Sequence, residues 1–198
     1  MQENTIYIRK KIKKKLDEQR YEHTLGVAFT AMSLAMKYDV DLYEAEVAGL
    51  LHDCAKCLPD EIKLRKCEKY GIPISDTERK NPSLLHSKLG AYLANDKYGV
   101  DNKAICSAIM YHTTGRPDMT MLEKIIFVAD YIEPRRNKAP NLSVVRKLAF
   151  EDIDQAVCQI MSDTLVYLKK KRAILDEQTV RAYEFYSQNH TAALLNQE

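Results

Sequence analysis

The spacing of apolar residues constrains this chain most. Through nearly all of it they recur at intervals of three and four, which lays one face of a helix against a core, and no segment of useful length alternates as a half-buried strand would. "YEHTLGVAFTAMSLAMKY" (21–38) shows the pattern clearly. Glycine and proline, at six each, are too sparse to punctuate many short strands. The expectation is an all-α fold, a single-domain helical bundle over residues 1–198. Helices are expected at 6–16, 21–38, 41–56, 59–71, 84–99, 102–113, 120–133, 144–171 and 177–190, with polar connectors at 72–83 and 134–143. Asp41 is a good N-cap, and Pro59 with Gly71 supplies the usual proline-first, glycine-last asymmetry.

Charge and cysteine usage narrow the function classes. With 30 Lys and Arg against 28 Asp and Glu the net charge is +2, so charge gives no reason to expect nucleic acid as the main partner. The lysines at 10–15 read as the solvated face of the first helix, with polyanion steering as the alternative. No apolar stretch is long enough to span a membrane, and the opening residues lack a signal-peptide pattern, so a cytoplasmic protein is expected. Five cysteines, an odd number, do not make a disulfide framework. Cys54 and Cys57 form a lone C-x-x-C with no βαβ surroundings and no second pair, and they read as reduced packing residues.

Four of the five histidines, His23, His52, His86 and His112, each stand on a different, otherwise apolar helix. Asp53 follows His52, and Asp130 interrupts "KIIFVADYI". An unpaired buried carboxylate is expensive, so these groups call for a common explanation. The simplest is that the helices bundle and the polar groups converge on one centre, since bundle interiors are where such sites are built. A mixed set of nitrogen and oxygen donors suits iron, manganese or zinc and not calcium. Six donors exceed what one tetrahedral ion needs, which favours a pair of ions. His190, near the end of the chain, is not expected to be a ligand.

His23, then His52-Asp53, then Asp130 resembles the H…HD…D signature of the HD-domain metal-dependent phosphohydrolases, with His86 and His112 similar to the additional pair of two-metal members. The resemblance covers about residues 18–136. "RYEHTLGV", "LLHDCAK", "LLHSKLGA" and "YHTTGRPDMTMLEKIIFVADYIEPRR" resemble the bacterial HD-type symmetrical diadenosine tetraphosphate hydrolases. In the final third the match is looser, and the family's usual proline before the last helix is absent around "ILDEQT".

The resemblance implies a di-metal centre, most often di-iron with manganese or zinc as alternatives, and symmetric cleavage of diadenosine tetraphosphate into two ADP by a metal-bridging hydroxide. His23, His52, Asp53 and Asp130 would hold one metal, His86 and His112 the second, and Asp53 would bridge. Catalysis would rest on Asp53, His86 and His112. Arg20, His23, Asp53, His86, His112, Thr113, Asp130 and Arg136 would touch substrate. Arg20 lies three residues before His23, on nearly the same helical face, and looks like a phosphate clamp. Arg136 can fork onto a phosphate, with Glu133 to orient it and Arg135 solvated beside it. Lys56 reads equally as a substrate contact or a solvated lysine. The segment Ala173, Ile174, Leu175, Asp176, Glu177, Gln178 would close over the nucleoside, with helices over 144–190 packed on the core. The partners expected are the small-molecule substrate and product, without nucleic acid or membrane. A homodimer is left open by the family and the apolar surplus. The alternatives are another HD nucleotide hydrolase, such as a nucleotidase or alarmone hydrolase, and a non-catalytic nucleotide- or metal-sensing module.

Overall fold

The structure, a computed structural model, describes residues 2–195. Among the described residues there are eleven α-helices, one 3-10 turn and no strand: α1 (Gln2–Lys13), α2 (Glu18–Lys37), α3 (Leu42–Leu51), α4 (Asp60–Lys69), α5 (Asp76–Lys80), α6 (Leu85–Tyr98), α7 (Lys103–Tyr111), α8 (Met121–Ile132), α9 (Leu142–Glu151), α10 (Ile153–Lys170) and α11 (Glu177–Leu195). None of these helices is long and apolar enough to cross a membrane.

Helices α2, α3, α7 and α8 pack on one another at the centre, with α6 against α7 and α10 against α8. Val27, Ala31 and Leu34 of α2, Val47 and Leu50 of α3, Ile105 and Ile109 of α7, and Ile125 and Val128 of α8 fill the shared core. The α2–α3 crossing is close because Gly49 has no side chain. A Cβ there would stand 2.7 Å from Ala28 Cα. Gly49→Ala should therefore force the two helices apart and lower stability by about 1–3 kcal/mol, read as a lower midpoint in urea unfolding.

The opening helix presents the expected faces. Ile8 and Ile12 are buried, whereas Lys10, Lys13, Lys14 and Lys15 are exposed. All five cysteines are free. Burial, aided by the neighbouring Asp53 charge, pushes the Cys54 thiol up to about 12, so it is protonated and unreactive near neutrality.

Three expected boundaries differ. The helix expected over 41–56 ends at Leu51, and residues 52–57 tighten into turns with three-residue hydrogen bonds, Cys54 N to Leu51 O and Lys56 N to Asp53 O. The helix expected over 144–171 is two helices broken at Asp152. Its backbone is extended and its carboxylate accepts from the Asp154 and Gln155 amides, capping α10, while its own amide closes α9 on Leu148 O. The connector at 72–83 holds the short helix α5, started by a Ser75–Glu78 capping box, and the 3-10 turn Pro82–Leu84.

Candidate metal centre

Five helices deliver the histidines and aspartates to one place, and most do so at their ends. His52 is the C-cap of α3, His112 is the C-cap of α7, and His86 is in the first turn of α6. His23 lies in the second turn of α2 and Asp130 in the last turn of α8. Three imidazoles use the same local device: Nδ1 of His52, His86 and His112 lies 2.7, 2.6 and 2.7 Å from the carbonyl three residues earlier, on Gly49, Ser83 and Ile109. A carbonyl only accepts, so each Nδ1 carries the proton and each Nε2 is left with a bare lone pair. His23 meets a carboxylate instead, with Nδ1 3.1 Å from Glu133 Oε1.

The four Nε2 atoms face the two aspartates. His23 Nε2 is 3.1 Å from Asp130 Oδ1, and His52 Nε2 is 3.9 Å from the same oxygen. Asp53 divides its oxygens: Oδ2 lies 3.5 Å from His52 Nε2 and 4.0 Å from His23 Nε2, whereas Oδ1 lies 3.3 Å from His86 Nε2 and 3.6 Å from His112 Nε2. Two donor groups therefore sit on either side of one carboxylate. Two sets of three, His23, His52 and Asp130, and His52, Asp53 and His112, each bring their ligand atoms within 4.8 Å of one another.

The donors fit cations better than they fit each other. His23 Nε2 and His52 Nε2 are buried without a hydrogen-bond partner, a costly condition for a polar atom. His86 Nε2 and His112 Nε2 are 3.2 Å apart. Thr113 Oγ1 lies 3.1 Å from both, but its single proton serves one of them. Burial lowers His86 to about 4, against the pull of Asp53, so at neutral pH it offers a lone pair and not a proton. Ligands about 2.0–2.2 Å from a metal lie roughly 3.0–3.6 Å from their neighbours, close to the spacings seen here.

The carboxylates ask for the same positive charge. Burial raises Asp53, but His52, His112 and His86 outweigh it and hold the carboxyl well below its usual range. Burial likewise raises Asp130, but the neighbouring His23 and His52 imidazoles and the Arg136 guanidinium together bring it far down. In metal-stripped protein the neutral form of His86 contributes stability that is fully present above about pH 6.5 and lost as pH falls toward about 4. The aspartates lose their contribution below that, as they protonate. Denaturation midpoints measured between pH 8 and pH 4 should fall below pH 6.5; a flat profile across that window would contradict the burial of a neutral His86.

The expected phosphate ligands stand at the rim. Arg20 Nη1 donates to Asp53 Oδ2 at 2.7 Å. Arg136 Nη2 donates to Asp130 Oδ1 at 2.6 Å and its Nε to the Asp130 carbonyl. Lys56 is half-buried with its ammonium 3.3 Å from His86 Nε2, and burial lowers its pKa while Asp53 and Asp130 raise it. A cleft of about 900 Å³ is lined by Arg20, His23, Asp130, Tyr131, Arg136 and Lys138 among others. A smaller one of about 160 Å³ is lined by Lys56, His86, His112, Thr113, Phe127 and Ile160. Asp130 and Tyr131 line both.

Segment 173–178 reaches the turn after Thr113. Gln178 Nε2 donates to Thr114 Oγ1 at 2.8 Å and to the Gly115 carbonyl at 2.7 Å. Asp176, Glu177 and Gln178 line a third cleft of about 510 Å³ with Thr114 and Arg116, while Ala173 and Ile174 are exposed and Leu175 is half-buried. The His190 side chain lies outside the described residues.

Glu133 departs from the role read for it. It is buried, it does not pair with the Arg136 guanidinium, and it contacts His23 instead. Arg135 pairs with Glu22 at the surface. Sequence reasoning also missed Arg146 of α9, whose guanidinium donates to the carbonyls of Ile132, Glu133 and Arg136 and so staples the loop that carries Arg136.

Comparison with known proteins places the chain in a family. The family model described as HD domain matches residues 20–135. A Bacillus subtilis (strain 168) protein named symmetrical bis(5'-nucleosyl)-tetraphosphatase is 42% identical over 88% of this chain and 92% of its own length. One of the same name from Halalkalibacterium halodurans is 38% identical over 87% of this chain and 91% of its own. A crystal structure from Clostridium acetobutylicum, titled a predicted HD superfamily hydrolase involved in NAD metabolism, superposes with a TM-score of 0.90 at 39% identity, covering 92% of this chain and 96% of that one. The matched region holds every one of the converging ligands, and the likeness runs on through most of the C-terminal helices, so this chain belongs to the HD domain family, alongside relatives that carry the symmetrical tetraphosphatase name.

Proposed function

We propose that this chain hydrolyses diadenosine tetraphosphate symmetrically into two ADP, as a metal-dependent hydrolase of the cytoplasm. The observation that carries the reading is Asp53, whose two oxygens face two separate donor groups at once. His23, His52, Asp53 and Asp130 would hold one ion and His86 and His112, with the other oxygen of Asp53, a second. Nitrogen and oxygen donors of this kind suit iron, manganese or zinc, and the family resemblance favours iron among them. When bound, such ions supply a nucleophile at neutral pH and neutralise charge on the attacking and leaving oxygens.

The chain's own residues do the rest. Two clefts, one lined by His23 and the other by His86 and His112, share Asp130 and Tyr131, which gives the phosphates and nucleosides of the substrate room next to the centre. Arg20 and Arg136, now on the carboxylates, are placed to turn their forks onto phosphate oxygens and stabilise charge on the transferring phosphoryl group. The Thr113 hydroxyl and the Lys56 ammonium add donors beside His86. ADP is an acceptable leaving group near neutrality, so no side chain is required to protonate it. The five free cysteines suit a reducing compartment.

Product analysis tests the reading. Metal-loaded protein given diadenosine tetraphosphate should release ADP alone. AMP with ATP, or inorganic phosphate, would overturn it.

A further inference from the structure

We infer that Glu133 is a positioning residue for the metal centre: its buried carboxylate fixes the ring and tautomer of His23 and makes that imidazole a stronger ligand than the other three. The inference rests on the reading of His23 as a metal ligand. Glu133 reaches His23 for reasons that begin in the sequence. Proline follows it at 134, and a residue before proline is driven out of the helical region. Glu133 accordingly leaves α8 with φ −49° and ψ 151°, and the chain folds back toward α2. There Gly26 makes room for it. A Cβ at Gly26 would stand 2.5 Å from Glu133 Oε2. Both carboxylate oxygens are then used: Oε1 accepts from His23 Nδ1 at 3.1 Å and Oε2 from the Arg135 amide at 2.8 Å. Arg146 fixes the same loop from outside by binding the Glu133 carbonyl.

The contrast with the other imidazoles gives the carboxylate its meaning. His52, His86 and His112 donate Nδ1–H to neutral backbone carbonyls, which set orientation but add no net charge. His23 meets a carboxylate on the side of the ring away from the ligand face. A carboxylate behind an imidazole raises the basicity of its far nitrogen and holds the ring in place. His23 Nε2 is that far nitrogen, and it points unpartnered at Asp130. The ion held by His23, His52 and Asp130 thus has two carboxylates near it and a third one bond behind. The His86–His112 side shares one oxygen of Asp53 and has the Lys56 ammonium beside it. The first side should bind its ion more tightly.

The test uses full-length protein and two readouts that need no turnover. In metal-stripped wild type, ring 1H–15N spectra should show His23 as the Nδ1–H tautomer. In Glu133→Ala, His23 should become a mixture of tautomers while His52, His86 and His112 stay as they are. Competition against a chelator, with manganese as the probe, should show the tightest equivalent weakened about 10–100-fold in Glu133→Ala. Glu133→Gln keeps an acceptor for His23 without the charge and should recover part of that loss. Gly26→Ala, which displaces the carboxylate without removing it, covers the case in which Glu133→Ala does not fold and should weaken the same equivalent. Wild-type affinity and an unchanged His23 tautomer in folded Glu133→Ala, or wild-type affinity in Gly26→Ala, would overturn the inference while leaving the metal reading intact. Failure of wild type itself to bind manganese would overturn both.

Discussion

Asp53→Ala is expected to lower turnover of diadenosine tetraphosphate by about three orders of magnitude or more, with far-UV circular dichroism still that of a helical protein. Asp53 is buried, and its two oxygens serve both halves of the centre. In the proposed two-metal centre its loss removes the one group common to both ions. Charge stabilisation of several kcal/mol goes with it, at about 1.4 kcal/mol for each tenfold in rate. The fold should persist because Asp53 lies beyond the end of α3 and contributes no apolar packing. Its remaining direct partner, Arg20, is partly exposed and can turn to water. Steady-state rates with metal added in excess check this, and unaltered turnover would rule out the bridging role.

Arg136→Ala is expected to reduce kcat/KM by about 10–100-fold, the effect of one charge-assisted hydrogen bond of about 1.5–3 kcal/mol. Arg136 is held at the cleft mouth from two directions, by its own bonds to Asp130 and by Arg146 on its carbonyl. A guanidinium held beside the cleft in that way has only to turn from Asp130 to present two parallel donors to a phosphate. Arg136→Lys should recover only part of the loss, since an ammonium cannot fork. Arg146→Ala should shift kcat/KM in the same direction by a smaller amount, because it loosens the loop and leaves the guanidinium in place. If Arg136→Lys matched wild type, a simple positive charge at the rim would suffice.

The converging histidines and aspartates were legible because each is out of place in an apolar pattern. A histidine in "LLHDCAK" or an aspartate in "FVADYI" breaks an apolar face, and a broken apolar face needs a reason in the interior. The three-residue backbone bonds of His52, His86 and His112 are local and follow from their positions at helix ends. Glu133 and Arg146 were not legible in the same way. Their partners lie 110 and 13 residues off, His23 and Glu133 respectively, and their contacts exist only once the loop after α8 has folded back. The signal for Glu133 was present in part, as the glutamate before Pro134 and the glycine three residues after His23, but nothing in one sequence joins the two. The break at Asp152 was a missed N-cap: an aspartate three residues before Gln155, inside what reads as continuous periodicity, ends one helix and starts another. The helix α5 hid in a connector that looked merely polar, although Ser75 and Glu78 make a capping box.

Metal content tests the central claim most directly. Full-length protein, stripped with chelator, reconstituted with iron, manganese or zinc and freed of excess ion, should carry close to two equivalents of metal per chain by elemental analysis. One equivalent or less with every metal offered would contradict a centre in which Asp53 joins two ions.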